Sequence, residues 1–102
     1  SKEAVRLAPD NPVFLANGAA AAAKLARHAE AARLAEAACV LDPSYARAWL
    51  RAGQANLALE TEASVQKAIR AFDKALELEP GNEAAARGKK DALITWEAEF
   101  ED

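Results

Sequence analysis

Val40-Leu41-Asp42-Pro43 lies near the middle of the chain, and a comparable proline-closed phrase stands on either side of it: Val5-Arg6-Leu7-Ala8-Pro9 before and Leu76-Glu77-Leu78-Glu79-Pro80 after. The spacings are 43 − 9 = 34 and 80 − 43 = 37 residues, so one structural unit recurs, the second time with three extra residues. A period in this range marks a supersecondary piece that buries its apolar face only by stacking on its neighbours. Such a chain is built to present a surface.

Composition says what the unit is made of. Hydrophobic residues make up 52% of the 102 positions, yet alanine alone fills 29 of them and only 24 are larger apolar residues. Alanine is the strongest helix former and lets helices approach closely, while Gly and Pro number four each, so an all-α chain is expected. No apolar run approaches the roughly 18 residues of a membrane span, and no charged segment followed by an apolar stretch opens the chain. The expectation is a soluble, cytoplasmic protein. The single cysteine, Cys39, has no internal partner and lies on an apolar stripe between Ala38 and Val40, where it reads as core.

Helix signals fall into pairs. Asn11 before Pro12 is an N-cap followed by proline at the first helical position, opening a helix to about Ala26. A second runs from about His28 to Leu41, with Ala31, Leu34, Ala35, Ala38 and Leu41 at spacings of three and four. Pro43 and Ser44 start the next, Tyr45 to about Leu59, which carries Trp49, Ala52, Gly53, Asn56 and Leu57 on one stripe. The three extra residues fall in the corner Glu60 to Ser64, where Thr61 or Ser64 caps the helix bearing Ala68, Ile69, Phe72, Ala75 and Leu76. They are expected to lengthen that corner or helix by nearly one turn. Asn82 caps a last helix, Glu83 to about Phe100.

These residues resemble the tetratricopeptide repeat, whose helix-turn-helix unit carries W-x2-L-G-x2-Y, then A-x3-F, a further alanine and a closing proline. Trp49, Gly53, Ala68, Phe72, Ala75 and Pro80 match in the later unit, and Leu15, Ala19, Ala31, Ala35, Ala38 and Pro43 in the earlier one. Asn56 and Ala22 stand where the family prefers tyrosine, and Ala52 and Gly18 where it prefers leucine, so these units pack less bulk. The resemblance implies antiparallel helix pairs stacked as a right-handed superhelical solenoid. It divides the chain into residues 1–11, the tail of a truncated first unit; 12–45 and 46–82, complete units; and 83–102, a capping helix with an acidic end.

The net charge of −3 is sorted along the chain. From Pro12 to Arg27 the only charged side chains are Lys24 and Arg27, and from Ser44 to Leu59 they are Arg47 and Arg51. The second helix of each pair is acidic instead. If the first helices line the concave groove, as the resemblance implies, a mildly acidic protein holds a basic groove suited to an anion. Within a tetratricopeptide unit the second, sixth and ninth positions share the groove face. Chaperone-binding members, the small glutamine-rich co-chaperone and heat-shock organising kinds among them, carry a carboxylate clamp there: lysine and asparagine, then asparagine, then Lys/Arg and arginine. Asn17, Arg47 and Arg51 are similar to the last three members, and the first two would precede Ser1. Gln54 and Arg87 extend the groove on the same reading. The resemblance thus implies that the intact protein binds the acidic C-terminal tail of a heat-shock chaperone, while the present chain, without the first two clamp members, is expected to bind it weakly or not at all.

Other function classes find less. One histidine and one cysteine, eleven positions apart, give neither a nucleophile with its base nor metal-ligand spacing, so neither an enzyme, a metal site nor a cofactor is expected. His28 is read as packing. With a sequence pI of about 5.2 and tryptophans placed for helix packing, nucleic acid and membrane are not expected partners. The alternative is a repeat scaffold that binds another protein through its groove or its Trp96 to Asp102 end, without a carboxylate clamp. A chain entering its first unit midway is further expected to self-associate through an apolar N-terminal edge. Sedimentation at high concentration should therefore show dimers or larger species, and a strict monomer would contradict this.

Overall fold

The computed structural model describes residues 11–102, along which five α-helices follow one another: α1 Pro12–Lys24, α2 His28–Leu41, α3 Ala46–Leu59, α4 Glu62–Leu78 and α5 Glu83–Glu99. The expected truncated unit and its apolar edge lie, apart from Asn11, outside the described residues. Each start has a local cause. The Asn11 side chain accepts from the Val13 and Phe14 amides at 2.9 and 3.4 Å, with Pro12 preset at the first position. At α4 the two expected caps act together, the Thr61 hydroxyl accepting from the Ser64 amide at 3.0 Å and the Ser64 hydroxyl from the Thr61 amide at 2.9 Å. Asn82 accepts from the Ala85 amide at 3.0 Å to open α5.

Two boundaries differ from expectation, and the insertion takes one of its two expected places. Ser44 does not cap α3; its amide and hydroxyl instead donate to Asp42 Oδ1 at 3.1 and 2.7 Å, which folds the Pro43 corner, and α3 begins without a side-chain cap. Helix α1 stops at Lys24 because Ala26 turns the chain with a φ of 59°. The three extra residues lie wholly in α4, which has 17 residues against 14 in α2, while the link Glu60-Thr61 is no longer than Leu25 to Arg27. That is just under one turn.

Each helix packs on the next, and α1 and α5 both also pack on α3. Helices α2 and α4 share no comparable contact. In a curved double layer the members that touch lie inside the curve, so α1, α3 and α5 form the concave layer and α2 and α4 the outer one. Alanine does the packing: Ala35, Ala38, Ala48, Ala68, Ala75, Ala85 and Ala92 are buried, with Leu15 and Cys39 among them. Burial, reinforced by the charge of Glu36, pushes the Cys39 thiol from 9.0 up to about 12, so it stays a protonated core group at neutral pH. Trp49 joins the two main clusters by packing against both, and its indole Nε1 donates to the Pro43 carbonyl at 2.8 Å, tying the corner to the following helix.

Phe72 holds the last unit together. Its ring has no accessible surface and lies against Gly53 of α3 and Gly88 of α5; a Cβ at Gly53 would meet the ring at 2.7 Å, and one at Gly88 would come closer still. Both glycines are therefore demanded by close approach and not by backbone conformation. Lys89 Nζ, 2.7 Å from Asp73 Oδ1, adds an exposed ion pair between α4 and α5 worth at most about 1 kcal/mol. Phe72→Ala should cost about 3–5 kcal/mol in urea unfolding. Gly53→Ala, by overpacking, should cost about 1–3 kcal/mol. Gly81→Ala, with nothing within 4 Å, should stay within about 0.5 kcal/mol. Equal effects of the two glycine substitutions would contradict this packing.

Candidate functional site

Helix α3 is surrounded on three sides, and that decides what it can show to solvent. Ala46, Ala48, Ala52, Gly53, Ala55 and Asn56 are buried against the neighbouring helices. Its exposed residues are Arg47, Gln54 and Ala58, with half-buried Arg51 on the same stripe, at successive spacings of four, three and four. The helix at the centre of the concave layer thus turns two guanidinium groups and one amide outward, and no acid.

Within that stripe Arg51 has a side-chain partner. Its Nη1 donates to Gln54 Oε1 at 3.2 Å, three residues on. Its Nε is shut off from solvent and has no hydrogen-bond partner among the described residues. A buried donor without an acceptor costs about 1–3 kcal/mol, and such groups in a folded protein call for an explanation, of which an acceptor arriving with a ligand is one. Arg47 is exposed and has no carboxylate within 4.0 Å among the described residues.

The other sequence-selected residues stand on the flanking helices. Asn17 is exposed on α1, opposite that helix's buried Leu15, Ala19 and Ala22. With Val13 and Lys24 it forms an exposed stripe at spacings of four and seven, and α1 packs directly on α3. Arg87 is exposed on α5, which packs on α3 from the other side. Arg47, Arg51 and Gln54 thus share one helix face, while Asn17 and Arg87 are exposed on the two helices α1 and α5 that pack against α3.

Two features escaped the sequence reading. Asn56, placed on an apolar stripe, is a buried polar side chain whose Nδ2 donates both to Glu36 Oε2 of α2 and to the Ala52 carbonyl at 2.9 Å. Its partner lies twenty residues away, beyond any local pattern. The Arg51–Gln54 contact was legible only as a three-residue spacing. His28 is half-buried with its Nδ1 sealed in the structure, in line with a packing role. Among the described residues no group of three His, Cys, Asp or Glu side chains is arranged to hold a metal, and no helix is long and apolar enough to cross a membrane.

Comparison with known proteins bears on this geometry. No family model matches the chain. It is 40% identical over 88 residues to the heat-shock protein cognate (HSC) co-chaperone sgt12 of Aspergillus fumigatus, spanning 84% of this chain and 25% of that protein. The chain thus spans about a quarter of the length of the curated relatives it first matches, 25% and 24%. Among solved structures, the Arabidopsis OM64 TPR domain superimposes with a TM-score of 0.79 at 30% identity, covering 91% of this chain and 74% of that one. The first TPR of Spaghetti (RPAP3), bound to the HSP90 peptide SRMEEVD, superimposes with a TM-score of 0.77 at 32% identity, covering 84% and 66%.

Proposed function

This chain belongs to the tetratricopeptide repeat family, and we propose that its concave layer binds the acidic C-terminal tail of a heat-shock chaperone, as part of a cytoplasmic co-chaperone or adaptor and not an enzyme. Residues 12–45 and 46–82 act as the two complete units and 83–102 as the capping helix. Arg47 and Arg51 take carboxylates of the peptide end, Asn17 adds a neutral amide donor, and Gln54 and Arg87 border the groove.

The observation that carries this reading is the outward stripe of α3, two arginines without an acid, one of them half-buried with an idle donor. Guanidinium groups stay charged and offer forked donors that match a carboxylate. A peptide ending in aspartate presents two carboxylates at one place. The HSP90 peptide bound by the RPAP3 domain ends in Glu-Glu-Val-Asp, which has this chemistry. Each charge-assisted hydrogen bond contributes about 1.5–3 kcal/mol net, against roughly 8 kcal/mol for micromolar affinity. Three contacting side chains therefore support binding on the weak side of micromolar.

Titration of the 102-residue chain with SRMEEVD, as free acid and as C-terminal amide, tests the proposal. The free acid should bind at least about tenfold tighter, and Arg51→Ala should cost on the order of 2 kcal/mol, because one charge of a partly buried pair is then left alone. An amide that binds as well as the acid would favour the plain scaffold reading and refute the clamp.

A further inference from the structure

The outer layer carries a second recessed site, separate from the concave stripe. Between α2 and α4 a slot of about 190 Å³ opens over α3, floored by Trp49, Ala52 and Ala71. Its origin can be read from the sequence. Ala52 and Asn56 line it, and these are the two positions of α3 at which the repeat pattern places leucine and tyrosine. Without those side chains the space between the outer helices stays open. None of Asn17, Arg47 or Arg51 borders it.

The walls differ in charge. On the α4 side stand Lys67 and Arg70, neither with a carboxylate within 4.0 Å among the described residues. On the α2 side stands Glu36, one of whose oxygens is already engaged by the Asn56 amide at 2.9 Å. Two cations thus face one acid. Glu36 and Trp49 also border a neighbouring recess of about 370 Å³, lined further by Cys39, Val40 and Pro43, so the two form one furrow along the outer face. Val40 is 80% exposed at its rim, an apolar residue with nothing upon it.

We infer that this furrow receives an aromatic side chain of a partner polypeptide, flanked in that partner by an acidic residue. Size supports the ring, since an apolar cavity of about 150 Å³ is enough to take up benzene. The indole of Trp49 offers a stacking or edge-to-face partner. The unpaired Lys67 and Arg70 select a carboxylate beside that ring. The exposed Val40 and Pro43 continue the apolar surface along the partner's backbone, which favours a polypeptide over a free aromatic acid.

Capped peptides without terminal carboxylates separate this site from the concave one. Ac-Asp-Phe-Asp-amide, Ac-Asp-Ala-Asp-amide and Ac-Lys-Phe-Lys-amide, with phenylacetate as a free-acid control, are titrated into the 15N-labelled chain and followed by amide shifts. The first should give saturable shifts centred on Glu36, Trp49, Asn56 and Ala71, at least tenfold tighter than the other three ligands. Ala52→Leu, which fills the slot, and the surface pair Lys67→Glu/Arg70→Glu, which leaves the core untouched, should each weaken it tenfold or more, while Arg51→Ala leaves it unchanged. No saturable shift, equal binding of the alanine peptide or of phenylacetate, or undiminished binding by either slot variant would overturn the inference. Loss of binding in Arg51→Ala would place the peptide in the concave groove and overturn it as well.

Discussion

The placement of Phe72 between two glycines is the constraint on which the rest of the concave surface depends. A ring with no accessible surface, in contact with Gly53 of α3 and Gly88 of α5, allows those helices only one close approach. Interiors are close-packed, and a helix gripped at such a point cannot roll about its axis without opening a void or a clash. Gly53 is two residues from Arg51, so fixing its buried face also fixes where the guanidinium groups emerge. Trp49 transmits the same constraint toward α2, by packing on both main clusters and bonding the Pro43 carbonyl.

An alanine-rich core has two consequences for function. Small side chains bring α1 and α5 close against α3 to form the inner layer. The same economy of bulk leaves the outer layer incompletely filled at Ala52 and Asn56, where the slot opens and a buried amide recruits Glu36. Charge is sorted unevenly among the helices: α1 and α3 carry no acid, α2 has two acids against one base, and α4 balances three acids with three bases. A protein of net charge −3 can therefore hold a local field of opposite sign.

Much of the fold was legible because it is written in local rules. Caps at Asn11, Thr61 with Ser64, and Asn82 sit where short polar side chains reach the first free amides, and apolar spacing of three and four gave the helix faces. What failed was also local but competitive. Ser44 had a cap's identity, yet it is drawn into the corner by donating its amide and hydroxyl to Asp42, and the helix begins one residue later with Tyr45 at the cap position. The insertion, by contrast, took one of its two expected places, in α4, because Thr61 and Ser64 cap that helix immediately after the short corner. At the candidate site, the spacing of Arg47, Arg51 and Gln54 was visible, whereas the idle Nε of Arg51 and the Glu36–Asn56 bond depend on contacts that only packing creates.

In the proposed site Arg51 grips a terminal carboxylate directly. A double-mutant cycle combining Arg51→Ala with amidation of the SRMEEVD terminus isolates that pair from every other contact. A coupling of about 1.5 kcal/mol or more is predicted, in the range of measured close charge pairs. Additive losses, with coupling near zero, would contradict it and leave the stacked helices with a groove whose ligand is held elsewhere.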